Sequence, residues 1–98
     1  MVYTGADGDG VFEWDDDNEG HVARHGVEWW EAEEALLDPD RANLARVEVG
    51  GETRFLVIGR TGAGRLLCVV YVVRRTRIRV VTARRPTERE SRRFRRSQ

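Results

Sequence analysis

The stretch ETRFLVIGRTGAGRLLCVVYVV, residues 52–73, decides the fold of this chain. Its two apolar runs are separated by RTGAGR, residues 60–65, whose two glycines are typical of a tight turn between strands. The second run, LLCVVYVV, contains eight apolar residues without a polar interruption. Such a run favours a central strand covered on both faces over a strand with one face in water. We therefore predict a hairpin whose second strand lies in the middle of a sheet.

Further strands flank this hairpin on both sides. The segment RVEVGGETRFLVIG, residues 46–59, reads as two strands joined at Gly50 and Gly51, which is a strong two-residue hairpin signal. After the central strand, RRT at residues 74–76 predicts a turn, and RIRVVTA at residues 77–83 predicts one more strand. The pattern indicates a meander of four strands.

Two helices are predicted ahead of the meander. The first covers DDDNEGHVARHG, residues 15–26, because Asp15 can serve as the N-cap and Gly26 as a left-handed terminator. The second covers EWWEAEEALLD, residues 28–38, and is stopped by Pro39. Its apolar residues fall on one stripe and its glutamates on the other side, as expected for a helix packed on a core.

The two ends of the chain differ in character. Residues 1–10 are rich in glycine and aspartate and are expected to form a flexible lead, followed by a short extended segment at residues 11–14. At the other end, PTERESRRF, residues 86–94, predicts a third helix, because Thr87 and Glu90 have the spacing of a capping box.

The predicted fold is a single α+β domain over residues 11–98. It consists of a small, mostly antiparallel sheet of about four strands, two N-terminal helices and one C-terminal helix. No apolar run approaches the roughly 20 residues of a membrane span, and the start of the chain lacks the order of a signal peptide. We therefore expect a cytoplasmic protein. Cys68, in the central apolar run, is expected to be a buried core residue.

The charge of the chain is divided between its two halves. The formal net charge is zero, but residues 1–53 contain 15 acidic residues against 3 arginines. Residues 54–98 contain 14 arginines against 2 glutamates, and the chain has no lysine. A guanidinium group matches phosphate oxygens and stays charged at any relevant pH. The basic half is therefore typical of a polyanion-binding surface, although the two halves can also neutralise each other in the fold.

Metal and nucleotide sites are poorly supported. His21 and His25 are four residues apart on the first predicted helix, a spacing that places both on one face and makes zinc conceivable. No HExxH arrangement or cysteine pair accompanies them, so we predict no metal site. The chain contains neither a P-loop nor a GxGxxG motif, and no cofactor is predicted.

The arginines on and beside the strands are the stronger candidates for a site. They are Arg54, Arg60, Arg65, Arg77, Arg79, Arg84 and Arg85. Alternation along a strand places Arg77 and Arg79 on one face. Arg84 and Arg85 lie where the last strand meets a helix N-terminus, whose free N–H groups suit phosphate. From composition alone, phosphate binding and a merely solvated charged face remain equally good interpretations.

Four motifs in order resemble the BrnT-type toxins. These motifs are FEWD at residues 12–15, RHGV at residues 24–27 with the acidic helix behind it, ETRFLVIGRTGAGRLL at residues 52–67 and IRVVTARRPTERESRRF at residues 78–94. The chain departs from the family pattern at Asn18 and His21, where many members have lysine and asparagine. Thr82 stands in place of serine and Phe94 in place of the terminal tyrosine.

The resemblance implies a RelE-like fold and a toxin of a type II toxin–antitoxin system. Members of the family resemble ribonucleases that inhibit translation and are neutralised by a cognate antitoxin carrying a ribbon-helix-helix DNA-binding region. A hetero-oligomer of the chain with such an antitoxin, and an RNA substrate, are the implied partners, with no membrane. A metal-independent endoribonuclease needs groups that stabilise the phosphate and move protons.

Candidate site residues follow from that chemistry. Arg54 and Arg84 are predicted phosphate clamps, and Glu52, Glu90 and His25 are the candidates for proton transfer. Predicted RNA contacts are Arg60, Arg65, Arg77, Arg79 and Arg85. Two alternatives remain open at this point. One is a non-catalytic relative that binds RNA or the antitoxin and acts in operon repression, and the other is an interaction domain whose oppositely charged halves attract other copies.

Overall fold

The computed structural model describes residues 10–98, so residues 1–9, most of the predicted flexible lead, lie outside the described residues. The described part contains three helices and five strands. In chain order these are β1 (Phe12–Glu13), α1 (Asp16–Arg24), α2 (Trp29–Leu36), β2 (Ala42–Val49), β3 (Glu52–Arg60), β4 (Leu66–Arg74), β5 (Arg77–Arg84) and α3 (Glu88–Arg96). The predicted α+β class is confirmed. None of the described helices is long and apolar enough to cross a membrane.

The strands form one sheet in the order β1-β5-β4-β3-β2. Strands β2 to β5 make the predicted antiparallel meander. The expected sheet of about four strands gains a fifth, because β1 pairs in parallel with β5, with Phe12 opposite Ile78. The sequence predicts an extended segment at residues 11–14 but not its pairing with another strand. Two paired residues are too few to leave a periodic signal in the sequence.

The central strand is buried on both faces, as its unbroken apolar run predicts. Leu67 and Val69 belong to a large core cluster that also contains residues of α1 and α2. Cys68, which points the other way, packs with Ile58 and with Phe94 of α3. The prediction of a buried cysteine is confirmed, since Cys68 has no exposed surface.

Helices α1 and α2 cover the first of these faces, which we call the helix face. The side chain of Asp15 accepts hydrogen bonds from the N–H groups of Asp17 and Asn18, so α1 begins where its cap predicts. Gly26 has a φ of 75° and ends the helical segment. Trp14 is fully buried, and its indole N–H donates to Glu33 of α2 over 2.8 Å.

Helix α2 lies unusually close to the sheet at Gly59. A Cβ atom built on Gly59 would lie 2.0 Å from the carbonyl oxygen of Ala35. Only a residue without a side chain allows this approach. The close contact places α2 directly on the second half of β3 and leaves the first half of that strand uncovered.

Helix α3 packs on the opposite face of the sheet, which we call the α3 face. Phe94 is its one buried residue, and it inserts between Ile58 and Cys68. The predicted capping box is present, because Thr87 accepts from the N–H of Glu90 and Glu90 accepts from the N–H of Thr87. Three residues thus separate the end of β5 from the start of the helix.

Candidate active site

The α3 face carries a group of charged side chains beyond the residues that pack on Phe94. Alternation along the strands places Glu52 and Arg54 of β3 on this face, together with Arg74 of β4 and Arg79 of β5. These side chains line an open pocket of about 250 Å³, to which α1 contributes Asp17, Asn18 and His21. The pocket combines three arginines, two carboxylates and an imidazole, which are the groups that phosphate chemistry needs.

An irregularity in β5 brings a hydroxyl group next to His21, one of the residues that line this pocket. Tyr71 pairs with Val80 and Val70 pairs with Thr82, so Val81 is an extra residue between them. Without the bulge, Val80 and Thr82 would point to the same face. With it, Val80 enters the core of the helix face and the Thr82 side chain lies on the α3 face.

The imidazole of His21 meets this hydroxyl. His21 Nε2 lies 3.1 Å from Thr82 Oγ1. The contact is possible because β1 pairs with only Ile78 and Arg79, which leaves the rest of the β5 edge accessible to α1. Asn18 of the same helix donates to the carbonyl of Val80 at that edge over 3.0 Å, which fixes α1 against the strand. His21 is therefore held at the rim of the pocket by two elements.

Arg79 is hydrogen-bonded to acidic residues at the N-terminus of α1. Its guanidinium donates to both carboxylate oxygens of Asp15, at 2.9 and 3.2 Å, and to Glu13 at 3.2 Å. The hydrogen bonds from Arg79 hold the pKa of Asp15 below its usual value. Arg79 thus contributes positive charge to the pocket while it joins β5 to the helix cap.

Glu52 and Arg74 form a second pair at the pocket. Arg74 donates to the two oxygens of Glu52 over 2.8 and 3.0 Å. The hydrogen bonds from Arg74 hold the pKa of Glu52 below its usual value, and the charge of Arg54 acts in the same direction. A carboxylate with a lowered pKa is a weak base, so Glu52 is poorly suited to the proton transfer for which it was a candidate.

Arg54 differs from its neighbours because it is not paired. Its Nε is the one buried side-chain polar atom in residues 10–98 without a hydrogen-bond partner. No carboxylate within the same residues forms an ion pair with its guanidinium. A buried donor without a partner costs free energy, on the order of 1–3 kcal/mol. This arginine is available to an anion entering the pocket.

Arg84 and Glu90, by contrast, form an ion pair with each other at the start of α3. Arg84 donates to both oxygens of Glu90 at 2.8 and 3.0 Å. The Arg84 hydrogen bonds, with those of Thr87, lower the pKa of Glu90 to about 2. Burial raises the pKa of the adjacent Cys68 thiol to about 11. Glu90 therefore serves the capping box and the ion pair, and neither residue lines the pocket.

The remaining predicted RNA contacts have separate surroundings. Arg65 donates to the carbonyl of Gly26 and to Glu31, and Arg77 donates to the carbonyls of Gly10 and Phe12. These two arginines hold loops and the β1 segment in place. Arg60 lies over the ring of Phe94 at 5.1 Å, and Arg85 is exposed. None of the four lines the pocket.

The two histidines occupy different environments. His25 is the exposed C-cap of α1 and does not line the pocket, whereas His21 does. Their rings lie 5.1 Å apart, as the spacing of four residues predicts. Within residues 10–98, no three metal-binding side chains of the His, Cys, Asp or Glu type come together. The spacing could identify the pair, but only the packing of α1 shows which histidine faces the site.

A larger cavity lies elsewhere, on the helix face near β2. Its volume is about 490 Å³, and Phe55 and Tyr71 form a stacked pair in its lining. Arg46 is its one ionisable residue besides the tyrosine. Because the larger cavity contains no carboxylate or imidazole, the smaller charged pocket is the better candidate active site.

The comparison with protein families gives a match over most of the chain. The model of the ribonuclease toxin BrnT of type II toxin–antitoxin systems matches residues 14–90. The match covers α1, α2, the whole meander and the start of α3. A search of curated proteins gave no match.

These findings define a small toxin whose charged pocket lies on an antiparallel sheet. The chain belongs to the BrnT family of ribonuclease toxins of type II toxin–antitoxin systems. An antitoxin partner follows from that membership.

Proposed function

We propose that the protein cleaves RNA at the charged pocket, without a metal ion, and thereby inhibits translation. The substrate's own 2′-hydroxyl attacks the adjacent phosphorus, the bond from phosphorus to the 5′-oxygen breaks, and a 2′,3′-cyclic phosphate remains. The unpaired Nε of Arg54 is the observation that carries this proposal. An unpaired guanidinium in a pocket lined by three arginines suits the dianionic phosphorane that forms during the attack.

Arg54 is the phosphate clamp of this mechanism. Its guanidinium has no hydrogen-bond partner within residues 10–98, so a phosphate oxygen that accepts from the terminal nitrogens displaces no internal partner. Arg79 and Arg74 stay paired with carboxylates and contribute positive charge at a distance. The clamp is thus preorganised before the substrate arrives.

His21 takes the proton of the 2′-hydroxyl on Nδ1, the ring nitrogen that Thr82 does not contact. Its Nε2 contacts Thr82, and this contact orients the ring at the rim of the pocket. The departing 5′-oxygen takes its proton from solvent. Glu52 and Glu90 are weak bases because their arginine partners lower their pKa values, so the imidazole of His21 is a better proton acceptor than either glutamate.

The cognate antitoxin is proposed to carry a ribbon-helix-helix DNA-binding region and to form a hetero-oligomer with residues 11–98, which act as one toxin domain. Neutralisation then requires that the antitoxin closes access to the pocket or displaces a residue that forms it. Phe94, in the place of the family's terminal tyrosine, is fully buried in the core, so its role in this chain is packing.

A non-catalytic function remains the second candidate, and one observation favours it. Both candidate glutamates are held by arginines, so His21 and the exposed Asp17 are the remaining acid–base side chains that line the pocket. Such a protein would bind RNA or the antitoxin and act in operon repression without cutting. The two candidates differ in whether RNA is cleaved by the purified protein.

The test is incubation of the purified toxin with single-stranded RNA in excess EDTA. We expect fragments that end in a 2′,3′-cyclic phosphate and begin with a 5′-hydroxyl. Expression without the antitoxin should arrest growth and protein synthesis, and Arg54→Ala should relieve the arrest. Intact RNA and normal growth with soluble, folded wild-type protein would contradict the proposal and support the non-catalytic candidate.

A further inference from the structure

The free edge of the sheet is formed by β2. Within residues 10–98 this eight-residue strand is the last in the sheet, and its outer side pairs with no other strand. Two of its apolar side chains are exposed, Val47 by 53% and Val49 by 43%. A long edge strand with apolar side chains is a template for pairing with another chain.

The hairpin determines which backbone groups are free at this edge. Gly50 and Gly51 form a two-residue turn with φ values of 59° and 80°, and Val49 pairs with Glu52 across it. In such a turn the closing pair is hydrogen-bonded, and bonded and non-bonded pairs then alternate along the ladder. Val47 and Val49 therefore direct their backbone groups toward β3. Arg46 and Glu48 direct theirs outward, to the free edge.

The side chains of Arg46 and Glu48 carry opposite charges on the same face of the strand. Both are exposed, and neither forms an ion pair within the described part of the chain. Arg46 lies over the ring of Phe55 at 5.6 Å, and Glu48 accepts from the hydroxyl of Thr53. The edge thus offers one cation and one anion, two residues apart, with free backbone groups at both.

We propose that two copies of this chain pair through β2, antiparallel and centred on Val47. In this register Arg46 lies opposite the partner's Glu48, and Glu48 lies opposite the partner's Arg46. Val47 lies opposite the partner's Val47 on the other face. The backbone groups that face outward in one copy meet those of the second copy, as the alternation of the ladder requires.

Charge selects this register over its neighbours. Only registers that bring the outward-facing residues opposite each other allow hydrogen bonding. A pairing centred on Arg46 places two arginines opposite each other, and one centred on Glu48 does the same with two glutamates. Like charges directly opposite are destabilising, whereas opposite charges are favourable. One β2 strand carries both the cation and the anion that the pairing needs, so two identical strands complement each other. This favours a second copy of the chain over an unrelated partner.

The pairing has a consequence for the pocket. Residues opposite each other in a sheet point to the same face. The pockets containing Arg54 therefore face the same side of the joined sheet, and a single RNA strand can approach both. The proposal does not depend on cleavage, because it rests on the β2 edge alone.

Sedimentation velocity of the full chain tests the pairing through charge reversal. Arg46→Glu alone and Glu48→Arg alone each replace two attractions with two repulsions, and we expect at least about a tenfold weaker dimerisation constant. Mixing the two single variants should restore dimers, because one supplies two anions and the other two cations. The double variant R46E/E48R should also dimerise. Arg89→Glu, on exposed α3, is the matched control and should behave as wild type.

Three outcomes would overturn the proposal. The first is a wild-type chain that remains monomeric up to its solubility limit. The second is a pair of single variants that dimerise as well as wild type. The third is monomeric wild type whose binding to the antitoxin is weakened by Arg46→Glu, which would assign the edge to the antitoxin. Circular dichroism of each variant verifies the fold, and restoration in the mixture excludes misfolding as the cause of dissociation.

Discussion

Arg84 and Glu90 join the last strand to the last helix through two parallel hydrogen bonds of 2.8 and 3.0 Å. Arg84 is the last residue of β5, and Glu90 lies in the first turn of α3 beside its N-cap, Thr87. Glu90 thus accepts hydrogen bonds from the N-cap residue Thr87 and from Arg84 of the strand. These contacts fix the direction in which α3 leaves the sheet. This geometry explains why Arg84, a predicted phosphate clamp, has its terminal nitrogens occupied.

We predict that Glu90→Gln lowers the free energy of unfolding at neutral pH by about 1–2 kcal/mol. Glutamine is also a capping-box residue, so the variant keeps the cap and loses only the charge that pairs with Arg84. The effect is smaller than the pKa of about 2 implies, because the Arg84 side chain is 34% exposed and partly screened by solvent. Urea unfolding measures the difference.

The pH dependence follows from the same pair. Because folding lowers the pKa of Glu90, its stabilisation is fully present above the ordinary value of 4.5 and is lost as pH falls toward about 2. Wild type and Glu90→Gln should therefore converge in stability across that range. Glu90→Ala serves as the control, since it also removes the cap and should stay less stable at every pH. A gap between wild type and Glu90→Gln that persists at pH 2 would argue against this account.

His21 and Thr82 yield a prediction about rate. His21→Ala should reduce RNA cleavage by about 10²–10⁴-fold, the usual contribution of a positioned acid or base. Thr82→Val should cause a smaller loss, because the hydroxyl orients the ring without touching the substrate, and Thr82→Ser should retain activity. His25→Ala is the matched control, since His25 lies outside the pocket. Equal losses in the two histidine variants would refute the assignment.

Gly59 yields a prediction about stability. Gly59→Ala should destabilise the fold by about 1–3 kcal/mol, because its Cβ would collide with the backbone of Ala35, 2.0 Å away. Gly20→Ala in α1 is the control, because its Cβ meets nothing nearer than 3.7 Å. That change should stabilise by about 0.5–1 kcal/mol through helix propensity. Thermal unfolding of both variants measures these changes in stability. A Gly59→Ala variant as stable as wild type would show that α2 can move aside.

The strands and helix ends were predictable because their signals are local. The Gly50 and Gly51 turn, the apolar run around Cys68 and the Thr87 capping box each depend on a few adjacent residues. Backbone geometry and burial act on these positions regardless of the rest of the chain. The parallel pairing of β1 with β5 was not predictable, because it joins segments more than sixty residues apart.

The site was only partly predictable, because side-chain partners are set by the fold. Arg54 and Arg84 look equivalent in the sequence. In the fold, however, Arg84 forms an ion pair with Glu90, whereas no carboxylate in residues 10–98 pairs with Arg54. The sequence does not single out His21 for proton transfer, since nothing in it indicates that Val81 bulges and brings Thr82 to the His21 ring. The split charge of the chain predicted attraction between its halves, and the pair of Arg79 with Asp15 is one instance.

The cleavage rate of Arg54→Ala measures the central claim most directly. Under single-turnover conditions with excess enzyme, the variant should cut RNA about 10²–10³-fold more slowly than wild type. Its stability should be unchanged or higher, because an unpaired buried donor is removed. Added guanidinium should restore part of the rate, and Arg75→Ala, in the exposed β4–β5 turn, should cut normally. Cleavage by folded Arg54→Ala at the wild-type rate would contradict the account.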